Sequence, residues 1–279
     1  MTVVTTTPAS TGTTPPVADS RDWGGSSYLT QIRVLTGRSM NALKDRRLLI
    51  MSLIQPLIML TLFSQVFKGM AFAPGFPKGV DYIDYLMPAI LVTTGSQAAM
   101  WAGAGLANDL KNGALARFRS LPISMYSLLT ARSIFDVVRN TIQLSMLLVG
   151  AVVLFGFSPA GGVVGTLAAM LLALIVGWGL SWLFMALGTW VRNLEVMQMI
   201  GMVAVFPLMF ASNAFAPLES LPGWLQAIAK VNPLSYAIKG SRSLALGDLE
   251  PTPILWALAI SAVIATVGAL AAGRGIRKP

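Results

Sequence analysis

The chain has 279 residues, 55% of them hydrophobic and 11% charged, with a mean hydropathy of +0.70 and a formal net charge of +9. Soluble domains carry about 25% charged residues, so this chain cannot cover a water-facing surface of its size, and most of its surface must meet lipid. Cysteine and histidine are absent, which excludes a disulfide framework, a thiolate nucleophile and the commonest metal and proton-exchange ligands.

Residues 1–20 hold seven threonines together with Pro8, Pro15 and Pro16. They have no apolar period, and residues 1–27 read as a disordered tail. The tail lacks the basic start and apolar core of a signal peptide. Residues 28–47 place Leu29, Ile32, Leu35, Met40 and Leu43 at helical spacing among Arg33, Arg38, Lys44, Arg46 and Arg47. This pattern predicts an amphipathic helix lying in the headgroup region; a helix packed on a partner protein would look the same.

A membrane span needs about 20 apolar residues, because the hydrocarbon is about 30 Å thick and a helix rises about 1.5 Å per residue. Uncharged runs predict spans at about 48–67, 86–107, 137–156, 163–191, 196–216 and 254–273, with GFSPAGG at 156–162 dividing the third from the fourth. Pro56, Pro88 and Pro207 lie inside or at the start of runs and predict kinks, which neighbouring helices can satisfy. Six spans put both termini on one side. That side collects 15 lysines and arginines and the other 5, so the positive-inside rule places both termini in the cytoplasm. The same distribution accounts for the basic charge without nucleic acid. Residues 274–279 form a short basic cytoplasmic tail.

Two connections stand out. Residues 108–139 form a long charged cytoplasmic segment. Residues 217–253 form an outer segment too apolar for an ordinary loop, with Pro222, Trp224, Asn232 and Pro233 in its centre, and they predict short re-entrant helices shielded by protein. Trp101, Trp178 and Trp182 suit interfacial anchoring or lipid-facing packing. Trp178 and Trp182 share a helix face, which would also suit a path for a flat aromatic compound.

No GxxxxGK[ST] phosphate loop occurs, nor any Gly-Lys pair, so the chain is expected neither to hydrolyse ATP nor to be an enzyme. Gly103 and Gly105 imitate part of a dinucleotide motif, but they lie within a span and read as close helix packing. Ion-coupled transport needs an ionisable group within the spans. Asp136 is the one candidate, and Arg132 and Arg139 flank it at helical spacing. That arrangement reads as an interfacial ion cluster holding the carboxylate ionised. A secondary drug antiporter using Asp136 and a non-transporting scaffold remain the rival readings.

The loop carries a resemblance. Asp109, Gly113, Arg117 and Pro122-Ile123, followed by Ala131-Arg132-Ser133-Ile134-Phe135-Asp136-Val137-Val138-Arg139, resemble the signature of type-2 ABC exporter permeases. Phe210 to Pro217, Leu221-Pro222-Gly223-Trp224-Leu225-Gln226, Asn232-Pro233-Leu234, Arg242 and Gly247 resemble its daunorubicin/doxorubicin-resistance branch. Ala131 departs from the branch, which has glycine there. The resemblance spans about residues 25–273. It implies an all-α membrane fold, with a six-helix domain over 28–273 preceded by an interface helix. It implies a permease dimer in a bacterial inner membrane, with cytoplasmic ATPase subunits that bind ATP and Mg; the chain itself would hold no cofactor or metal. It also implies coupling to the ATPase through Asp109, Gly113, Arg117, Arg119 and Pro122, although Arg117 and Arg119 equally satisfy the positive-inside rule. The implied cargo is a hydrophobic or amphiphilic compound, an antibiotic first and a lipid second.

Overall fold

The computed structural model describes residues 27–40, 46–72, 75–111 and 125–276. Its regular structure is helical throughout, with no strand among the described residues. The helices are α1 (Tyr28–Met40), α2 (Arg46–Val66), α3 (Tyr82–Lys111), α4 (Met125–Phe155), α5 (Gly162–Val191), α6 (Leu194–Phe210), α7 (Gly223–Val231), α8 (Pro233–Leu246) and α9 (Pro251–Gly275), with short 3₁₀ turns at Lys68–Phe72 and Leu218–Ser220.

The uncharged runs become helices because a chain in lipid must satisfy its backbone internally. Three helices are long and apolar enough to cross a membrane: Tyr126–Phe155, Gly162–Val191 and Pro251–Gly275. The apolar lengths Ile50–Val66 and Leu194–Phe210 are shorter. The 30-residue α3 differs in kind. It carries Thr93, Thr94, Gly95, Ser96 and Gln97 at its centre, and most of its length is buried against α5, α6 and α8. Around it, exposed side chains of α4, α5 and α9 such as Val153, Val164 and Val263 are apolar, as lipid contact requires.

Glycine sets the closeness of the central crossings. A Cβ on Gly177 of α5 would lie 2.9 Å from the carbonyl oxygen of Gly95 on α3, and one on Gly268 of α9 would lie 2.6 Å from the carbonyl carbon of Trp182 on α5. A Cβ on Gly103 would strike the Phe184 carbonyl, and the obstacle is backbone that cannot turn aside. Lipid gives helices no hydrophobic reason to associate, so this close packing is what binds them. Gly103→Val is therefore expected to cost at least the ~1–3 kcal/mol of an overpacked core, seen as loss of monodisperse protein on extraction. Gly223→Ala, where a Cβ would meet nothing within 4 Å, is expected to leave the yield unchanged.

Several boundaries differ from the sequence expectation. Residues 108–111, expected in the loop, are the last turn of α3, so Asp109 projects from a helix end. The run 137–156 belongs to a helix that begins at Met125. The expected span 196–216 stops at Phe210, and residues 211–216 turn. The reason is chemical. The Ser212 hydroxyl donates to the Met209 carbonyl at 2.6 Å, and the Asn232 amide donates to the Leu208 and Ala211 carbonyls at 2.6 and 3.0 Å. Side chains thus take the carbonyls that further helix would have used.

The break at 156–162 forms as the sequence suggests: Gly156 and Gly162 take φ of 67° and 61°, a region that favours glycine.

Candidate functional site

Two clusters built on charged side chains lie at opposite ends of α3. One cluster lies where α3 ends and α4 begins, beside residues 112–124. Arg132 on α4 donates through Nη1 to Asp109 Oδ2 at 2.8 Å and through Nε to Asp136 Oδ2 at 3.3 Å. Asp136 is buried, whereas the Asp109 side chain is half exposed. The guanidinium fits because residue 105 is glycine: a Cβ there would collide with Arg132 Nη2 and lie 2.9 Å from Cζ. Arg139 turns its Nη2 to the Ala98 carbonyl of α3 at 3.4 Å. The structure therefore joins Arg132 to Asp136, adds Asp109 from another helix, and spends Arg139 on α3 backbone.

Arg132 thus holds together the two helices that bracket residues 112–124. Gly113, Arg117, Arg119 and Pro122 lie outside the described residues. The amphipathic segment docks at the same end: Tyr28 Oη and Thr130 Oγ1 are 2.9 Å apart, and the Ser127 hydroxyl donates to Gln31 Oε1 at 2.9 Å.

The opposite cluster surrounds Arg242 on α8. It is one of the five cations that the charge count puts on the outer side, and it is buried, with 8% of its surface exposed. Its Nε donates to the Tyr85 carbonyl at 3.0 Å, and its Nη2 to the Asn213 and Ala214 carbonyls at 3.0 and 3.3 Å. The guanidinium carbon lies 3.5 Å from the Tyr85 ring centre. The Tyr82 hydroxyl adds a bond to the Phe215 carbonyl at 2.8 Å. One arginine therefore locks α8, the start of α3 and the turn after α6.

Asn232 and Pro233 sit beside this lock. Asn232 accepts from the Leu234 amide at 2.9 Å as the N-cap of α8 while its Nδ2 closes α6, and Pro233 takes the first helical position, where a missing N–H costs nothing. Pro222 precedes the short α7, on which Trp224 is exposed. Of the other tryptophans, Trp178 donates to the Ser133 hydroxyl at 2.8 Å, Trp101 is exposed, and Trp182 packs beside the Leu106–Met185 core.

Charge held at the two ends of a helical bundle with an apolar exterior fits a polytopic membrane protein. Residues 30–246 match the family model described as ABC-2 type transporter, and the chain belongs to that family. It is 33% identical over 214 residues to the daunorubicin resistance ABC transporter permease protein DrrB1 of Streptomyces coeruleorubidus, covering 77% of this chain and 74% of that one. It is 24% identical over 235 residues to the Mycobacterium tuberculosis H37Rv protein named "Probable doxorubicin resistance ABC transporter permease protein DrrC", covering 84% and 83%.

Proposed function

We propose that this permease exports a hydrophobic or amphiphilic compound, an antibiotic or a lipid, using ATP hydrolysed with Mg by a separate cytoplasmic ATPase. The observation that carries the reading is the family match over residues 30–246, together with two relatives named as drug-resistance permeases. In this account α2, α3, α4, α5, α6 and α9 are six spans of a bacterial inner-membrane protein. Both termini are cytoplasmic, and α1 is the interface helix. Two copies pair, and α7 and α8 form the outer re-entrant segment. Trp101, Trp178 and Trp182 serve helix packing and anchoring ahead of any cargo path.

The ATPase acts at the α3–α4 connection, on Asp109, Gly113, Arg117, Arg119 and Pro122. Force applied there reaches two long helices at once, because Arg132 ties their ends. The bundle then passes between two arrangements whose balance the ATPase sets. Gly113→Pro, which stiffens the connection, and Asp109→Lys, which repels Arg132, are expected to abolish co-purification of the ATPase from gently extracted membranes. Retention of the ATPase by both variants would remove the coupling assignment.

A further inference from the structure

Beside the Arg132 cluster, α3, α4 and α5 line a small, partly open cavity with about 10 Å³ open to the centre of a water molecule. Its wall includes Asp136 and Asn140, one helical turn apart on α4, with Ala98, Gly177 and Trp178. Both polar side chains are more than nine-tenths buried, with 6% and 5% of their surface exposed. Asp136 Oδ2 is taken by Arg132. Asp136 Oδ1 and Asn140 Oδ1, and the donor Arg139 Nε, find no hydrogen-bond partner among the described residues. A buried acceptor left so costs about 1–3 kcal/mol, and more when it is charged, so two together demand an occupant.

We infer that this cavity is a binding site for one water molecule, which donates one hydrogen to Asp136 Oδ1 and the other to Asn140 Oδ1. Size and charge select water. The free volume matches a single molecule, since a buried water needs about 10–15 Å³ by this measure and two to four polar partners. A divalent cation would take six or more oxygens and would sit beside Arg132 and Arg139. The Asn140 amide nitrogen, meanwhile, lies 3.1 Å from where a Gly177 Cβ would stand. The bridge therefore links the Arg132 ion cluster to the glycine crossing of α3 and α5.

The test is a density map of the full-length protein in lipid nanodiscs at a resolution that shows ordered water, paired with thermal unfolding. A peak within about 2.6–3.2 Å of both oxygens is expected. No peak, or an Arg139 guanidinium donating directly to both, overturns the site. Asn140→Leu is expected to lower the unfolding midpoint by about 5 °C, and Asn140→Ser, which keeps an acceptor, to recover most of it; a leucine variant as stable as the parent overturns the bridge. Exchange of sodium and potassium for N-methylglucamine at constant ionic strength is expected to leave the midpoint unmoved. A midpoint that follows either metal ion, and ceases to in Asn140→Leu, assigns the site to a cation instead of water.

Discussion

Arg242→Met is expected to lower the unfolding midpoint by on the order of 10 °C and to abolish transport. The substitution keeps the volume of the stem and removes every donor. The Tyr85, Asn213 and Ala214 carbonyls then lose a shared charged partner, and hydrogen bonds to charged groups are worth about 1.5–3 kcal/mol each. The cation–π contact with Tyr85 adds up to about 2 kcal/mol at a desolvated site. Relief of the buried charge offsets part of this, leaving a net loss of about 3–5 kcal/mol, which is large against the 5–15 kcal/mol of a typical fold. Arg242→Lys is expected to recover less than half, because an ammonium cannot span three carbonyls and stack on a ring. Tyr85→Leu is expected to cost less than Arg242→Met, and the double variant less than the sum, since the two share one interaction. Detergent-solubilised thermal unfolding reads all four proteins, and an unmoved midpoint in Arg242→Met would remove the lock from the account.

At the other end, Arg132→Gln and Asp109→Asn are expected to behave differently although they break the same ion pair. Arg132 also holds buried Asp136. Removing one member of a buried pair costs about 3–5 kcal/mol, because the remaining charge stays out of water. Asp109 is half exposed, and an exposed pair is worth about 0–1 kcal/mol. Asp109→Asn should therefore fold with a midpoint near that of the parent, while Arg132→Gln should lose much of its stability. If the Asp109–Arg132 pair carries force from residues 112–124 into α4, Asp109→Asn also transports less cargo for each ATP hydrolysed. Normal stability with undiminished cargo per ATP in Asp109→Asn would confine Arg132 to a structural role.

The two ends of the bundle were unequally legible in the sequence. Helices α2, α5 and α9 follow their uncharged runs closely, because lipid forbids any other use of such segments. Asp109, Arg132 and Asp136 were each picked out, yet the contact between positions 109 and 132 crosses helices, and no periodicity reports that. Gly105 read as helix packing, and what packs on it is the Arg132 guanidinium of α4. The end of α6 was missed because residues 211–216 are uncharged and hydropathy cannot tell a buried turn from a helix. Only Asn232 and Ser212, reaching the freed carbonyls, explain why a turn is tolerated there. Arg242 was missed as a buried residue for a related reason. Orientation rules count an arginine as water-facing, but this one lies under Tyr85 with backbone oxygens for company. The available signal was a second cation, after Lys239, within a helix otherwise made largely of small and apolar residues that begins at Asn232-Pro233.

The proposed function has this chain move an amphiphile only when a partner hydrolyses ATP. The direct test is reconstitution of the permease with its co-purifying ATPase in liposomes, the ATPase facing outward, with uptake of a fluorescent anthracycline or a labelled lipid followed over time. The expected result is uptake that requires ATP and Mg, stops with a non-hydrolysable analogue, and is lost in Arg242→Met. Uptake by the permease alone, driven by an ion gradient and abolished by Asp136→Asn, would contradict it.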